Sequence, residues 1–386
     1  MKLLILFALM ALSFQNTFAD TLESRLDKAI TLGLDEKRIV GAVVMVSRDG
    51  KLVYNKAHGF SDREAKTPMT TDSLFRLASI TKPIVTVAVL KLIDQGKIRI
   101  DDSASKWIPE LNKEITIRHL LTHTAGLNYT FFEVQDGPYH TLRVSDGLDK
   151  ADITLEENIK RIALAPLLFK PGTQWSYSLA TDVLGEILTR IEKKELGAII
   201  EEQVLKPLQM NDSGFFAKDA EKLTAAYVDA KPEPKRMAET ERFKFAASEI
   251  VYSPGRALDK KAYPSGGAGM VGTPADLLKF FEDLRTGSTL LNKNSHEALT
   301  TNQVGSLNVD GPGWGWSLGF KVLTDADEAK SPMGKGSYEW GGVWGHTWWV
   351  DPANKLTVLI LTNTAVEGMS GKLPSDIKKA VYADDD

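Results

Sequence analysis

Cysteine is absent from this 386-residue chain. Its absence excludes disulfides, cysteine-ligated zinc, iron–sulfur clusters, a thiol nucleophile and a lipid anchor on a cysteine, whatever the redox compartment. An excess of positive charge is also missing, because 47 Lys and Arg stand against 51 Asp and Glu and leave a net charge of −4. Because the chain is not basic overall, nucleic acid is not an expected partner.

Long apolar runs are equally scarce, and the longest lies at the start of the chain. Lys2 precedes the run Leu3 to Phe14, and Thr17-Phe18-Ala19 then supplies small residues, which is the pattern of a secretory signal peptide. Nothing in the chain approaches the roughly 20 apolar residues that span a bilayer. We therefore predict a signal peptide over 1–19, cleavage near Ala19, and a periplasmic or secreted chain over 20–386 without stable membrane insertion. An ordinary N-terminal core helix is the alternative.

The apolar content of 43% predicts a globular protein with a large core. A helical pattern over 21–37 precedes two β-rich runs around Asp49-Gly50, and strand patterns return after residue 317. Between about 100 and 265 the patterns are mostly helical, with Lys231 to Arg242 as a solvated excursion. We predict a mixed α/β (α+β) fold: an antiparallel sheet built from both chain ends and flanked by helices, with an inserted all-helical subdomain over about 100–265 and a cleft along the seam.

A nucleophilic serine can be activated by a lysine one helical turn later, because residues three apart share a helix face. Only Ser79 begins a helix, over about 79–95, that is apolar on most sides and has Pro83 in its first turn. There the helix dipole and free backbone N–H groups would stabilise an oxyanion, and burial would favour the neutral amine of Lys82. The alternative is a capping serine beside a surface lysine. Two further Ser-x-x-Lys matches lie in polar contexts, Ser103/Lys106 and Ser375/Lys378.

Three other motifs have weaker contexts. Gly315-x-Ser317-x-Gly319 matches a nucleophile elbow, but a strand-like run follows where an elbow needs a helix. Gly267-x-Gly269-x-x-Gly272 matches a dinucleotide fingerprint, but no strand precedes it, which favours a tight turn. His119 and His123 share a helix face as a metal pair would, but no third ligand is evident. We predict neither a metal nor a cofactor.

Several blocks of the chain resemble a known superfamily. The blocks are Phe75–Lys82, Ile117–Leu127, Pro171–Ser178, Lys206–Met210, Trp340–Val343, Gly345–Thr347 and Asp351-Pro352. They resemble the serine β-lactamases and penicillin-binding proteins, and within them the class C β-lactamase-like branch that includes the family VIII carboxylesterases. The likeness extends from about residue 25 to 385 and implies a β-lactamase/transpeptidase-like fold.

By this resemblance Ser79 is the nucleophile, Lys82 is its general base, and Tyr177 is the phenol that relays a proton to the leaving group. The backbone N–H groups of Ser79 and Val343 would form the oxyanion hole, and such donors typically contribute about 3 kcal/mol each. Lys82 and Tyr177 are expected to titrate as a coupled pair. Acylation of Ser79 would expel an alcohol or amine, and water would then release the acyl group.

Two departures from the β-lactamase pattern bear on the substrate. Leu179 stands where β-lactamases have Asn, and Trp340-Gly341-Gly342 replaces their Lys-Thr-Gly. Both changes remove contacts for a substrate carboxylate, and Trp340 adds an apolar wall. Together with His346, these residues form the predicted substrate-binding set.

These observations favour a periplasmic or secreted serine hydrolase acting on a small-molecule ester or amide, foremost a carboxylesterase on small esters. The alternative with the same chemistry is a class C-like β-lactamase or a D-alanyl-D-alanine peptidase acting on β-lactams or cell-wall peptides. A non-catalytic peptidoglycan-binding module is a further alternative, and so is a Ser-His-Asp arrangement that uses His346.

Overall fold

The computed structural model describes residues 21–383, and the predicted signal peptide lies outside them. The strands are β1 (Gly41–Arg48), β2 (Lys51–Asp62), β3 (Thr67–Pro68), β4 (Phe75–Arg76), β5 (Tyr227–Val228), β6 (Lys235–Arg236), β7 (Glu241–Phe245), β8 (Ser248–Tyr252), β9 (Val271–Gly272), β10 (Trp314–Trp316), β11 (Lys321–Leu323), β12 (Tyr338–Gly342), β13 (His346–Asp351), β14 (Leu356–Thr362) and β15 (Thr364–Ala365). The α-helices are α1 (Leu22–Asp35), α2 (Thr81–Asp94), α3 (Ile117–Leu121), α4 (Pro138–Thr141), α5 (Leu155–Leu164), α6 (Ala180–Glu192), α7 (Leu196–Ile200), α8 (Pro274–Thr286), α9 (Lys293–Thr300), α10 (Glu367–Ser370) and α11 (Lys372–Tyr382).

Eight of these strands form one antiparallel sheet in the order β10-β11-β12-β13-β14-β1-β2-β3. The first three strands of the chain lie at one side of this sheet, and the C-terminal strands β10 to β14 complete it. Strand β1 pairs with both β2 and β14, so the two chain ends are joined at this point. The predicted α/β (α+β) architecture, with one sheet built from both ends, is confirmed.

Strand β1 shows why the sheet is covered on both faces. Alternate side chains of a strand point to opposite faces. Val44 and Val46 belong to a core with Leu26 of α1 and Ile377 of α11, whereas Val43 belongs to the larger core on the α2 side. A strand buried on both faces reads as a continuous apolar run, as this one does.

Helix α2 occupies the centre of the larger core. The residues from Thr81 to Leu90 are all buried, because this helix is apolar on nearly every side. It ends before Gly96, whose φ of +69° an L-residue rarely adopts. The helix boundaries expected from Pro83 and Gly96 are therefore close to those observed.

The insert over 100–265 is mostly helical but not wholly so. It contains α3 to α7, and it also contains the hairpin of β7 and β8 and the short strands β5 and β6. The expectation of an all-helical insert therefore needs correction. From Glu241 to Phe245, half-buried and exposed residues alternate, which is the period-two pattern of a strand.

Candidate active site

Ser79 lies on a 3₁₀ turn, Ala78–Ile80, that leads directly into α2. Ala78 has a φ of +46°, a conformation that costs energy for a non-glycine residue and that the surroundings must hold in place. The N–H of Leu77 donates to the carbonyl oxygen of Met270 at 2.8 Å and fixes the turn from outside. Ser79 is 8% exposed and lines a mainly apolar cavity. The structure thus places the serine at the buried start of a helix.

Lys82 lies one turn further along α2 and is 1% exposed. Its Nζ donates hydrogen bonds to the Tyr129 hydroxyl at 2.7 Å and to the Gly267 carbonyl oxygen at 2.8 Å. It also donates to Oγ of Ser79 at 3.4 Å, a length common for catalytic contacts in unliganded sites. The first two bonds hold the amine beneath the serine, so a proton can pass between Oγ and Nζ without a backbone movement.

Tyr177 reaches the site, but its hydroxyl has a different partner. The ring centroid lies 4.7 Å from Nζ of Lys82, so the face of the ring covers the amine. The hydroxyl accepts a 3.0 Å hydrogen bond from the indole Nε1 of Trp340. Tyr177 therefore contacts the lysine through its ring, and the proton relay that the resemblance implies for this phenol stays a prediction.

Tyr129 is a site residue that the sequence patterns did not reveal. Its hydroxyl lies beside Nζ of Lys82, and its ring stacks on Phe131 with 4.6 Å between centroids. Burial raises the pKa of Tyr129 well above its usual value, and the nearby Tyr177 phenol adds to the shift, so this phenol stays neutral at physiological pH. In the sequence, its position two residues after the block Ile117–Leu127 could have identified it as a site residue.

The end of β12 passes directly against the nucleophile turn. A β-carbon added to Gly342 would lie 2.6 Å from the carbonyl oxygen of Leu77, so only a glycine permits this approach. The next residue, Val343, lines the same cavity as Ser79. The structure therefore brings together the two residues whose backbone N–H groups are expected to form the oxyanion hole.

The cavity above Ser79 has a volume of about 560 Å³ and is walled mainly by aromatic and aliphatic side chains. Its apolar lining comes from both parts of the fold: Phe131, Phe132, Leu148, Trp175, Tyr177, Phe245, Trp340, Val343 and Met369. Of the predicted substrate-binding residues in β12, Trp340 and Gly341 belong to this lining, whereas Gly342 does not. Such a cavity suits a small substrate that buries apolar groups.

One edge of the cavity carries charged side chains that already form ion pairs. Nζ of Lys321 lies 3.1 Å from Asp310 and 3.2 Å from Glu339. Glu339 also pairs with Lys378 at 2.6 Å, and the two lysines hold the pKa of this carboxyl below its usual value against the effect of burial. The lysine at this edge is therefore compensated by two carboxylates.

His346 and Leu179 do not line the cavity, in contrast to the substrate contact expected of them. His346 is buried, and its Nε2 donates to the carbonyl oxygen of Arg76 at 2.6 Å, next to the nucleophile turn. Burial lowers the pKa of His346 to about 4, so the ring is neutral. Leu179 is fully buried at the start of α6. His346 therefore lies under the nucleophile turn, whereas Leu179 is part of the core. Nδ1 of His346 has no hydrogen-bond partner among residues 21–383, so a Ser-His-Asp arrangement with His346 is not formed.

The rival motifs take other places in the fold. Ser317 is fully buried, and its Oγ accepts hydrogen bonds from the N–H groups of Gly319 and Phe320 at 3.2 Å each, as in a tight turn between β10 and β11. No helix follows it, so the nucleophile elbow is absent there. His123 is buried against Ser178, and burial lowers the pKa of this imidazole well below its usual value.

Neither a metal cluster nor a membrane span emerges from residues 21–383. In this part of the chain, three or more His, Asp or Glu side chains do not gather in a way that could hold a metal ion. Within the same residues, no helix combines the length and apolarity needed to cross a bilayer.

Comparisons with known proteins show the family of the chain. The family described as Beta-lactamase matches residues 26–381. Esterase EstB of Burkholderia gladioli is 43% identical over 377 residues, which cover 95% of this chain and 96% of EstB. Lovastatin esterase of Penicillium rubens is 25% identical over 402 residues, which cover 93% of this chain and 97% of that enzyme.

A solved structure extends the likeness to three dimensions. EstCE1, described as a hydrolase with promiscuous acyltransferase activity, superposes with a TM-score of 0.90 at 41% identity. The superposition covers 94% of this chain and 98% of EstCE1. The resemblance inferred from the sequence blocks is confirmed: the chain belongs to the Beta-lactamase family, and it is a serine hydrolase allied to the family VIII esterases of the serine β-lactamase superfamily.

Proposed function

We propose that this protein hydrolyses small, uncharged carboxylic esters through an acyl-enzyme on Ser79. The observation that carries the proposal is the placement of Oγ of Ser79 3.4 Å from the buried amine of Lys82, at the base of an apolar cavity. The relatives EstB and lovastatin esterase, both named as esterases, support the same reaction class.

Acylation begins when the neutral amine of Lys82 takes the proton of the Ser79 hydroxyl while Oγ attacks the ester carbonyl carbon. The electron pair of the carbonyl moves onto its oxygen, where the backbone N–H groups of Ser79 and Val343 stabilise the negative charge. Collapse of this intermediate breaks the bond to the alkoxy oxygen. That oxygen takes the proton from Lys82, and the alcohol leaves.

Deacylation uses the same groups in the reverse roles. A water molecule gives a proton to Lys82 and attacks the acyl carbon, and the oxyanion forms again in the same hole. The carboxylic acid leaves when Oγ of Ser79 departs and recovers the proton from Lys82. The neutral phenol of Tyr129, 2.7 Å from Nζ, keeps the amine in place throughout.

Esters are favoured over β-lactams and D-alanyl peptides because the latter carry a carboxylate. The cavity edge holds one lysine, Lys321, and it is already paired with Asp310 and Glu339. A substrate carboxylate there would find no lysine free of a carboxylate partner. Trp340, which lines the cavity, also lacks the ammonium group that the resemblance places at this position in β-lactamases.

We also propose that the protein acts in the periplasm or outside the cell, since the segment 1–19 has the pattern of a signal peptide. N-terminal sequencing of the natural protein should give a start near Asp20. A chain that retains Met1 and stays in the cytosol would contradict this location.

The nucleophile is tested by Ser79→Ala, with Ser375→Ala as a matched control. Ser375 belongs to a second Ser-x-x-Lys match on the exposed face of α11. We expect Ser79→Ala to lower the rate of p-nitrophenyl acetate hydrolysis by at least about 10³-fold and Ser375→Ala to leave it unchanged.

The substrate class is tested on the natural chain with p-nitrophenyl acetate, nitrocefin and a D-Ala-D-Ala peptide. The ester should be turned over with the highest kcat/KM. Efficient cleavage of the peptide or of nitrocefin would overturn the ester assignment, and a Ser79→Ala variant with full activity would overturn the nucleophile.

A further inference from the structure

We propose that Asp182 is a positioning residue for Lys82: its buried carboxylate is the counter-ion of the ammonium that Lys82 becomes when it takes the Ser79 proton. The role concerns the reaction proposed above, so its kinetic test rests on that function. The ion pair itself can also be tested without any activity.

The surroundings of Asp182 leave one carboxylate oxygen without a hydrogen bond. Asp182 lies in the first turn of α6 and is fully buried. Its Oδ1 accepts a 2.7 Å hydrogen bond from the Ser265 hydroxyl, whereas among residues 21–383 Oδ2 has only the Gly267 N–H nearby, which favours the charged carboxylate without forming a hydrogen bond of good geometry. A buried carboxylate oxygen left in this way is costly unless a nearby charge compensates it.

Gly267 separates that oxygen from the catalytic amine. A β-carbon placed on Gly267 would lie 2.3 Å from Oδ2 of Asp182 and 3.3 Å from Nζ of Lys82. The two charged atoms are therefore no more than about 6 Å apart, a distance at which unit charges in a protein interior interact strongly. The carbonyl oxygen of Gly267 also accepts the 2.8 Å hydrogen bond from Nζ. Only a glycine leaves room for both groups.

The turn that contains Gly267 ties the carboxylate to the nucleophile helix. The Ser265 hydroxyl donates to Asp182 and accepts from the N–H of Ala268 at 3.1 Å. Further along, the N–H of Met270 donates to Oγ1 of Thr81, next to the lysine, at 3.2 Å. The start of α6, the glycine turn and the start of α2 therefore form one hydrogen-bonded unit.

Few other groups can supply the compensating negative charge. Burial raises the pKa of Asp146 to about 7, so this carboxyl is only partly ionised at neutral pH, and burial keeps the phenols of Tyr129 and Tyr263 neutral. Burial raises the pKa of Asp182 as well, but the Ser265 hydroxyl, the charge of Lys82 and, after these, the charge of Arg256 and the Gly267 N–H act in the opposite direction. The titratable groups that face this pair are Tyr129, Tyr177, His123, Asp146, Arg256 and Tyr263.

The kinetic test is Asp182→Asn, which keeps the shape of the side chain and removes its charge. Without the counter-ion the ammonium is less stable, so the neutral amine persists to lower pH but accepts the serine proton less readily. We expect kcat for p-nitrophenyl acetate to fall about 10- to 100-fold, KM to stay within about twofold, and the rising limb of the pH–rate profile to move about one pH unit lower.

Asp276→Asn is the matched control, because Asp276 is also a buried carboxylate in the first turn of a helix and is hydrogen-bonded to a serine, Ser213. It should leave the position of the pH–rate profile unchanged. A profile of Asp182→Asn that superimposes on that of the natural chain would overturn the proposal.

A double-mutant cycle in urea tests the same pair without activity. Asp182→Asn should lower the free energy of unfolding in the natural chain, and it should lower it much less in a Lys82→Met background, where no charge needs compensation. An equal loss in both backgrounds would mean that Asp182 only holds Ser265, and the proposal would fail. If Asp182→Asn alone does not fold, recovery of folding in the double variant supports the ion pair and its absence overturns it. The cycle is independent of the proposed function, which the Ser79→Ala assay tests separately.

Discussion

The amine of Lys82 is buried directly against the Ser79 hydroxyl. At 1% exposure the side chain has lost nearly all its water, and its neighbours are a phenol, a peptide carbonyl and the serine hydroxyl. A lysine that only extended toward solvent would leave its ammonium hydrated. The reading of Lys82 as a surface lysine is therefore excluded, and the residue can exchange a proton with Ser79.

The two phenols beside Lys82 are held differently. Tyr129 contacts the amine through its hydroxyl, whereas Tyr177 contacts it through the ring face. The hydroxyl oxygen of Tyr177 instead accepts a hydrogen bond from Trp340. Trp340 stands where β-lactamases have the lysine of Lys-Thr-Gly. The substitution thus does more than add an apolar wall, because the new indole N–H also takes the Tyr177 oxygen as its acceptor.

His346 predicts a pH dependence of stability. In the folded chain its pKa is about 4, below the usual 6.5, so between these values the unfolded chain binds a proton that the folded chain does not. Acidification therefore favours unfolding, and from pH 7 to pH 5 this group removes about 2 kcal/mol of stability. A His346→Gln variant keeps a donor for the Arg76 carbonyl but cannot titrate.

Urea unfolding at pH 7 and pH 5 measures this contribution. The natural chain should lose more stability over this interval than His346→Gln does, by about 2 kcal/mol. Equal losses for the two proteins would show that His346 takes up its proton in the folded and unfolded states alike.

At the scale of elements, the oxyanion hole depends on how closely β12 approaches the turn that precedes α2. The contact of Gly342 with the Leu77 carbonyl leaves no space for a side chain. A Gly342→Ala substitution would push the strand away and move the Val343 N–H from the place where the oxyanion forms. We expect kcat to fall about 10²- to 10³-fold, which is the usual loss for one oxyanion donor.

Gly255→Ala is the control for this substitution, because a β-carbon at Gly255 would meet nothing within 4 Å. Both variants are assayed with p-nitrophenyl acetate after circular dichroism has shown that they are folded. Gly342→Ala activity within about twofold of the natural rate would contradict the assigned hole.

The hairpin of β7 and β8, which belongs to the insert, forms part of the cavity wall. Phe245, at the end of β7, lines the cavity and packs edge-on against Phe131 with 5.7 Å between ring centroids. The N–H of Ala247 donates to the Phe131 carbonyl oxygen at 3.2 Å and fastens the hairpin tip there. One wall of the cavity is therefore built by the hairpin that begins at the end of the charged stretch Lys231 to Arg242.

At the scale of the whole molecule, local patterns predicted what local physics determines. The apolar run of β1, the all-round apolar surface of α2 and the Ser-x-x-Lys spacing depend on near neighbours in the chain, so they were readable. Tyr129 was not, because it lies 47 residues from Lys82 and meets it only through the packing of the insert.

The contact of Gly267 with Lys82 shows the same limit at a longer range, because the two residues are 185 positions apart in the chain. The glycine spacing of Gly267, Gly269 and Gly272 correctly indicated a tight turn. It did not indicate which residues the turn contacts. The absence of His346 from the cavity lining has a related reason: residues of β13 point alternately to two faces, and only the pairing of the strand decides which face meets the cavity.

Trapping the covalent intermediate tests the central claim most directly. The natural chain is mixed with excess p-nitrophenyl acetate, quenched in acid within the steady state, digested and examined by mass spectrometry. We expect one acetyl group on the Ser79 hydroxyl and none in Ser79→Ala. Acetyl on Ser317, or undiminished turnover with no acetylated serine, would contradict the account.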